Sequence, residues 1–308
     1  MDTAQAGLLR SLNFFDVLGY APTLPEVFLS WDQGSSIHNS RYTVLDTELT
    51  SALHHLIDQR IVTESRGRFA LAGRESLIRD HEAREALFPR KLRRARQVAK
   101  WLAHLSGVRA IFLCNTTALA HADDQGDLDF FVITRARTIW QTRGLASLPF
   151  QLLDQRPRPD RVVRDAVCLS FFVDDDALNL SSLQLSEDDP YFRYWFLSLL
   201  PLYDDGVMSD LWKANHSLIE RHSFARPWIV NPAVKISSTT FQIPHSKILE
   251  SLARRLQISR FNPSIKQLMH QDTRVVVTDH VLKFHVDDGR EKLRDQYYKN
   301  CQRYGIEA

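Results

Sequence analysis

CNTTALAHADDQGDLDFFVIT, the stretch from Cys114 to Thr134, is the most informative part of this chain. It places Asp127 and Asp129 two positions apart at the head of an apolar run that predicts a strand. Because residues i and i+2 of a strand project to the same face, the two carboxylates are expected to point the same way. Carboxylate oxygens are ligands that Mg²⁺ prefers, so the stretch predicts a magnesium site at Asp127 and Asp129.

The residues just before this run predict a phosphate site beside the metal. Val108 to Cys114 is typical of a buried strand, and Thr116 to Ala122 is typical of a short helix that follows it. Backbone N–H groups at the start of a helix favour anions, and Mg²⁺ binds phosphate oxygens together with carboxylates. Asn115, Thr116 and Thr117 are therefore candidate phosphate contacts.

The order of strand, polar turn, short helix and Asp-x-Asp strand resembles the nucleotidyltransferase fold of the DNA polymerase beta superfamily. From about Leu8 to Pro227 the chain is also similar to a bacterial group of uncharacterised nucleotidyltransferase-domain proteins. The similar phrases are Leu12-Asn-Phe-Phe-Asp16, Cys114-Asn115, Asp127-Leu-Asp-Phe-Phe131, Cys168-Leu-Ser-Phe-Phe172, Asp189-Pro-Tyr-Phe-Arg-Tyr-Trp195 and Pro201-Leu-Tyr203. Where the superfamily has Gly-Ser at the head of the short helix, this chain has Asn115-Thr116.

The resemblance implies a Mg²⁺-dependent nucleotidyltransferase that moves a nucleoside monophosphate from a nucleoside triphosphate to an acceptor that the sequence does not identify. Asp127 and Asp129 would be its catalytic metal ligands, and Asn115, Thr116 and Thr117 would contact the nucleotide. The alternative is a catalytically degenerate nucleotidyltransferase fold that acts as a nucleotide-binding or protein-interaction module. A simpler interpretation of the acidic run before the strand is a polar turn.

Active members of the superfamily commonly carry a third carboxylate in a later strand. The corresponding strand here, Val167 to Val173, contains no acid, and Ser170 is the candidate for the vacant position. Asp165 has the opposite strand parity to Ser170, and Asp174 lies roughly 13 Å along a strand from it. We therefore expect a weak site that binds one Mg²⁺ and transfers slowly or not at all.

The chain as a whole predicts an α+β protein in three parts. Residues 1–80 contain three helical segments and a hairpin around Arg66-Gly67, which is typical of a winged-helix-like domain. Residues 81–186 are expected to form a nucleotidyltransferase-like domain, with a mixed sheet flanked by helices. Residues 187–308 are expected to form a mainly helical C-terminal domain.

The third helix of the winged-helix-like domain lacks a basic face. The segment from Asp46, which is expected to cap this helix, to Arg60 carries Asp46, Glu48 and Asp58 but only one terminal arginine. Because phosphate neutralisation needs clustered Lys or Arg, the sequence argues against specific DNA binding. It favours a module that packs within the protein or contacts a protein partner.

Two basic residues are further candidate nucleotide contacts. Lys91 lies in a long basic helix predicted from Arg84 to Leu105, and Arg143 lies in a helix predicted from Arg137 to Leu153. In related proteins a Trp-x-x-Arg pattern recurs at this second helix, so the resemblance implies that Arg143 approaches the nucleotide. The alternative for both residues is a solvated helix surface.

Composition limits the remaining function classes. The chain has 308 residues, 44% of them hydrophobic, and a formal charge of +2 from 39 basic and 37 acidic residues. This balance does not draw the protein to nucleic acid or to anionic membranes. Without a basic leader or a long apolar segment, we expect a cytoplasmic protein that does not enter the membrane. The three cysteines show no zinc-site spacing.

Overall fold

A computed structural model of the chain describes residues 1–34, 46–158, 160–230, 241–244 and 246–308. Within these residues the protein is α+β, with a mixed six-stranded sheet flanked by helices and a separate two-stranded sheet. The broad fold class predicted from the sequence is therefore confirmed.

The N-terminal region has the predicted order of helices and hairpin. Its elements are α1 (Thr3–Val17), α2 (Leu24–Leu29), α3 (Asp46–Asp58), β1 (Val62–Ser65) and β2 (Arg68–Leu71). Arg66 and Gly67 adopt positive φ angles of 55° and 73°, as a tight hairpin turn requires. Asp46, predicted to cap α3, is instead its first residue, and the residues before it lie outside the described ranges.

The long helix predicted from Arg84 to Leu105 is present but begins later than predicted, because a separate helix ends at Glu85. The two helices are α4 (Ser76–Glu85) and α5 (Phe88–Ala103). Pro89 lies in the first turn of α5, where its missing N–H costs no helical hydrogen bond. A proline in that position marks the start of a helix, and the preceding helix ends before it.

The six-stranded sheet is built mainly from antiparallel pairs. In the order in which they pair, its strands are β6 (Leu200–Asp204), β3 (Val108–Leu113), β4 (Leu128–Thr134), β5 (Val167–Asp174), β8 (Val281–Phe284) and β7 (Val275–Val277). The central pair β4 and β5 is parallel, and α7 (Ile139–Leu152) connects these two strands. Between β3 and β4 the chain forms a single helical turn, α6 (Asn115–Ala118).

Residues beyond 186 supply three of the six described strands, so the predicted boundary at 186 runs through the sheet. A mainly helical region was expected here, and β6 and β8 were not. Pro201 lies in β6 at the edge of the sheet, where a strand tolerates proline. The described helices of this region are α8 (Pro190–Leu197), α9 (Met208–Ala214), α10 (His216–Ile219), α11 (Lys247–Ser259), α12 (Pro263–Leu268) and α13 (Arg290–Arg303).

Each face of the sheet has its own core. Leu128 and Phe130 belong to a cluster with α5, α7 and residues of α11 and α12 on one face, which we call the α7 face. Phe131 and Ile133 belong to a cluster with α8, α9 and α10 on the other, the α8 face. Because side chains alternate along a strand, Asp129 projects toward the α8 face.

A third core joins the two ends of the chain. Tyr297 and Cys301 of α13 are buried in the same cluster as Leu8 and Phe14 of α1. Farther along, His81 of α4 lies 2.8 Å from the turn residue His121, measured between their Nδ1 atoms. The N-terminal region is thus packed against both the C-terminal helix and the turn that precedes β4. Among the described residues, no helix is both long enough and apolar enough to cross a membrane.

Candidate functional site

Asp127 and Asp129 lie at the start of β4, beside an open cleft. β4 begins at Leu128, so Asp127 is the last residue of the turn and Asp129 is the second residue of the strand. Both are half-buried. Asp127 lines a cleft of about 500 Å³ with Asn115, Cys168 and residues of α8, β8 and α13. We call it the aspartate cleft.

The pKa values of both carboxyl groups are raised. Burial and the neighbouring charge of Asp129 raise the pKa of Asp127 to about 6, against a smaller opposing effect of Lys91. Burial also raises the pKa of Asp129, although hydrogen bonds from the Asn115 amide and the Cys168 thiol oppose the change. A cation bound between such groups would relieve both the repulsion and the loss of hydration.

Asn115 takes a backbone conformation that favours glycine. Its φ angle is +57°, in the left-handed region, where asparagine is among the best tolerated residues after glycine. Its side chain reaches Asp129 and also accepts a hydrogen bond from the Tyr191 hydroxyl at 3.3 Å. The asparagine therefore permits the turn and holds one of the two carboxylates.

Thr116 and Thr117 differ in whether their hydroxyl groups are available to a ligand. Thr116 is exposed, and within the described residues its hydroxyl has no hydrogen-bond partner. Thr117 is fully buried, and its Oγ1 donates to the main-chain oxygen of Asp127 at 3.1 Å. Thr116 thus remains a candidate phosphate contact, whereas Thr117 holds the turn. Because α6 is one turn long, it adds little helix dipole to the site.

Lys91 is a structural cation and not an open phosphate contact. Its ammonium group is 1% exposed, donates to the Gly126 carbonyl at 2.6 Å and lies 2.7 Å from Asp165 Oδ1. These bonds fix the turn that carries Asp127. They also explain why Asp165 does not complete a metal site, since its carboxylate is already paired.

The position expected to carry a third carboxylate is taken by a thiol. In the parallel pair of β4 and β5, Asp129 lies opposite Cys168, and the register shifts just beyond this pair. Cys168, two positions before Ser170, is therefore the β5 residue directly opposite Asp129. Ser170 lies 3.3 Å from His285 Nε2, and Asp174 lies 2.9 Å from His280 Nδ1, near the other end of the strand.

The opposite wall of the aspartate cleft was missed by the sequence reasoning. It includes Lys283 and His285 of the β8 region and Arg290 of α13. Burial, with Arg290 nearby, lowers the pKa of Lys283 to about 8. Arg290 is bound to Asp189 and Asp288 at 2.6 and 2.8 Å. β8 was not predicted, so the sequence offered no sign that these residues face Asp127.

Tyr191 is the aromatic side chain of α8 that can reach a ligand. Phe192, Tyr194, Trp195 and Phe196 are buried, whereas Tyr191 is half-buried and lines the aspartate cleft. Tyr191 and Asn115 also line an adjoining, mostly apolar pocket of about 230 Å³. The two cavities therefore meet at these two residues and Trp195, which lines both.

Arg143 does not lie in the aspartate cleft. Its guanidinium lies 4.5 Å from the centre of the Phe284 ring, which packs against the core of the α7 face. Asp129 projects to the opposite face of the sheet. Arg143 is therefore not part of the lining of the aspartate cleft, and its approach to a nucleotide bound at Asp127 stays a prediction.

The described residues contain no group of three or more His, Cys, Asp or Glu side chains arranged to hold a metal ion. His280 and His285 lie at different ends of β8 and contact Asp174 and Ser170 separately. Comparisons with protein-family models, with curated proteins and with solved structures found no match.

Proposed function

We propose that this chain has a nucleotidyltransferase-type core that binds a nucleoside triphosphate with Mg²⁺ in the aspartate cleft. The observation that carries the proposal is the coupled pair Asp127 and Asp129 at the start of β4, beside a cleft of about 500 Å³. Both half-buried carboxyl groups have a raised pKa, and the charge of Asp129 is one cause of the shift at Asp127, so the pair favours a bound cation. Their hard oxygen atoms suit Mg²⁺.

Each residue of the cleft has a distinct role in this proposal. Asp127 and Asp129 hold Mg²⁺, which when bound supplies the positive charge that neutralises phosphate oxygens. Asn115 orients the Asp129 carboxylate through its amide. The free hydroxyl of Thr116 donates to a phosphate oxygen, and the half-buried ring of Tyr191 gives a base a surface for stacking.

Nucleotidyl transfer at this site would be slow. An acceptor hydroxyl attacks the α-phosphorus, a new oxygen–phosphorus bond forms, and pyrophosphate leaves with the electron pair of the broken bond. Cys168 lies where a third carboxylate would assist loss of the acceptor proton, and burial beside Asp129 raises the pKa of its thiol above the ordinary value. A neutral thiol is a poor general base.

The same observation favours a second candidate function, nucleotide binding without transfer. In that case the core would act as a regulatory module, and the N-terminal region would be a winged-helix-like contact for a protein partner. The exposed side of α3 carries Asp46, Glu48 and Asp58, which suits a basic protein surface better than DNA.

Calorimetric titration of the four nucleoside triphosphates, with and without Mg²⁺, tests the binding proposal. We expect Mg²⁺-dependent binding to the wild type and a loss of at least about tenfold in affinity in Asp127→Asn and Asp129→Asn. Asp124→Asn is the matched control, because Asp124 is an exposed acid of the same turn that pairs with Arg90. Equal affinity in the wild type and all three variants would overturn the assignment.

An assay of pyrophosphate release then separates the two candidate functions. Slow release that Asp129→Asn abolishes supports transfer, and Mg²⁺-dependent binding without release supports the regulatory module. Neither result depends on knowing the acceptor, because water serves as a surrogate hydroxyl in the assay.

A further inference from the structure

Arg143 is a buried cation that no carboxylate neutralises. Its side chain is 9% exposed, and Nη1 donates a hydrogen bond to Gln257 Oε1 at 2.6 Å. Nε is buried without a hydrogen-bond partner, and within the described residues no Asp or Glu pairs with this guanidinium. Because an unpaired buried charge costs much free energy, such a group is retained mainly where something else compensates it.

A second arginine adds a like charge at the same place. The charge of Arg156 helps to lower the pKa of Arg143 to about 9, with burial as the larger cause. Arg156 is itself half-buried, and in the described parts of the chain it makes no ion pair or hydrogen bond. Two guanidinium groups therefore converge without an anion between them.

Both arginines line a cleft of about 840 Å³ between α7 and the helices α11 and α12. We call it the arginine cleft. Arg260, at the end of α11, is a further exposed cation, and Leu256 and Phe261 give the cleft an apolar wall. Asp154 also lines it, but its carboxylate is bound by Arg158 and Arg161. The cleft thus combines positive charge with apolar surface.

The orientation of Arg143 is fixed by its neighbours. Gln257 Nε2 donates to the main-chain oxygens of Trp140 and Ala253 at 2.7 and 3.2 Å, which leaves Oε1 directed at Arg143. Gly144 makes room for this amide, because a Cβ atom there would lie 3.2 Å from Gln257 Nε2. The guanidinium is therefore held before any ligand arrives, which lowers the entropy lost on binding.

We propose that the arginine cleft binds a phosphate-bearing ligand with an apolar body. The phosphate oxygens pair with Arg143 and Arg156, whose planar guanidinium groups match phosphate in bidentate geometry. The apolar body packs against Leu256 and Phe261. None of the residues that line this cleft lines the aspartate cleft, so the site does not depend on the nucleotide-binding proposal.

Calorimetric titration of the full chain with inorganic pyrophosphate and with phenyl phosphate, in EDTA, tests the proposal. EDTA removes Mg²⁺ and thereby silences binding that depends on Asp127 and Asp129. We expect saturable binding to the wild type and a loss of about ten- to a hundredfold in Arg143→Gln and Arg156→Gln. Arg255→Gln is the matched control, because Arg255 is an exposed arginine of α11 that does not line the cleft.

Arg156→Gln decides the result if Arg143→Gln fails to fold, because Arg156 makes no bond that the fold would lose. Equal affinity in the wild type and Arg156→Gln, or no saturable binding of either phosphate compound or of lipid phosphate, overturns the proposal.

Sedimentation with phosphatidylcholine vesicles that contain phosphatidic acid distinguishes the source of the phosphate. Arg156-dependent binding to these vesicles alone assigns a lipid headgroup, and binding of phenyl phosphate assigns a soluble ligand. Asp129→Asn should change neither the binding to vesicles nor the binding of phenyl phosphate. A negative result at the arginine cleft can therefore be told apart from a negative result at the aspartate cleft.

Discussion

The aspartate cleft and the arginine cleft lie on opposite faces of one sheet and carry opposite charges. Each brings two like charges together, Asp127 with Asp129 and Arg143 with Arg156. In each, burial and the like charge move a pKa toward the neutral form, up to about 6 for Asp127 and down to about 9 for Arg143. Like charges that are buried close together are common at functional sites, because a ligand can supply the missing counter-charge.

The two clefts differ in how much of their charge the protein compensates. Asp129 receives hydrogen bonds from Asn115 and Cys168, so the acid pair is partly satisfied before a cation binds. Arg143 has the Gln257 amide and the ring of Phe284 but no carboxylate among the described residues. The sign of the buried charge therefore indicates whether a cleft binds a cation or an anion. How far the protein already neutralises that charge indicates how strongly a bound ligand stabilises the fold.

The largest expected effect comes from supplying the missing acid. Cys168→Asp should tighten Mg²⁺ binding by about ten- to a hundredfold, because the new carboxylate would lie opposite Asp129 in the sheet. Ser170→Asp is the comparison variant and should gain less, since position 170 is directed at His285. Calorimetric titration with Mg²⁺ measures both. A larger gain in Mg²⁺ affinity for Ser170→Asp than for Cys168→Asp would show that the pairing of β4 with β5 does not define the metal site.

The second effect is a pH dependence of stability that belongs to Asp127. Its folded pKa of about 6 lies above the ordinary value of 3.8, so folding favours the protonated form. The contribution is fully present below about pH 4 and is lost as pH rises through about 6, which amounts to about 1–3 kcal/mol. Urea denaturation without metal should therefore show that the stability of Asp127→Asn relative to the wild type increases as the pH rises from 4 to 7. A constant difference across that range would contradict the pKa shift.

A smaller effect is expected in the arginine cleft. Arg156→Gln should raise the melting temperature at pH 7 by about 1–3 °C without ligand, because it removes a like charge beside Arg143. Differential scanning calorimetry measures the change, and Arg255→Gln on the exposed side of α11 should leave it unchanged. A lower melting temperature for Arg156→Gln would show that Arg156 stabilises the fold.

The smallest effect concerns DNA. α3 exposes Asp46, Glu48 and Asp58, so the full chain should bind random duplex DNA no more tightly than about 10⁻⁵ M near physiological salt. Any residual binding should be lost in Arg156→Gln and kept in Arg60→Gln, because the arginine cleft is the more basic surface. Fluorescence anisotropy measures both. Sub-micromolar DNA binding that depends on Arg60 would show that the end of α3, and not the arginine cleft, is the surface that binds DNA.

Sequence patterns were most reliable where one local rule decides the structure. The alternation and turn residues around Arg66-Gly67 predicted the hairpin, and the apolar runs predicted β3, β4 and β5. The closeness of Asp127 and Asp129 was also predictable, because it depends on two residues in one segment. Local spacing fixes such features before tertiary contacts form.

Features that depend on distant partners were not predictable in the same way. Lys91 looked like a phosphate contact, but its role is set by Asp165, which lies 74 positions later in the chain. Arg143 was assigned to the nucleotide by a resemblance, and no local pattern reveals which face of a sheet its helix covers. The short strand β8 carries too few residues for a clear period, so Lys283 and His285 were missed.

The packing of α13 on α1 has a consequence for synthesis of the protein. Leu8 and Phe14 share a core with Tyr297 and Cys301, so these contacts form only after α13 has been made. At about 5–20 residues per second, a ribosome needs roughly 15 to 55 seconds to bridge that gap. During that interval we expect the apolar residues of α1 that pack on α13 to be accessible to chaperones that bind exposed hydrophobic segments.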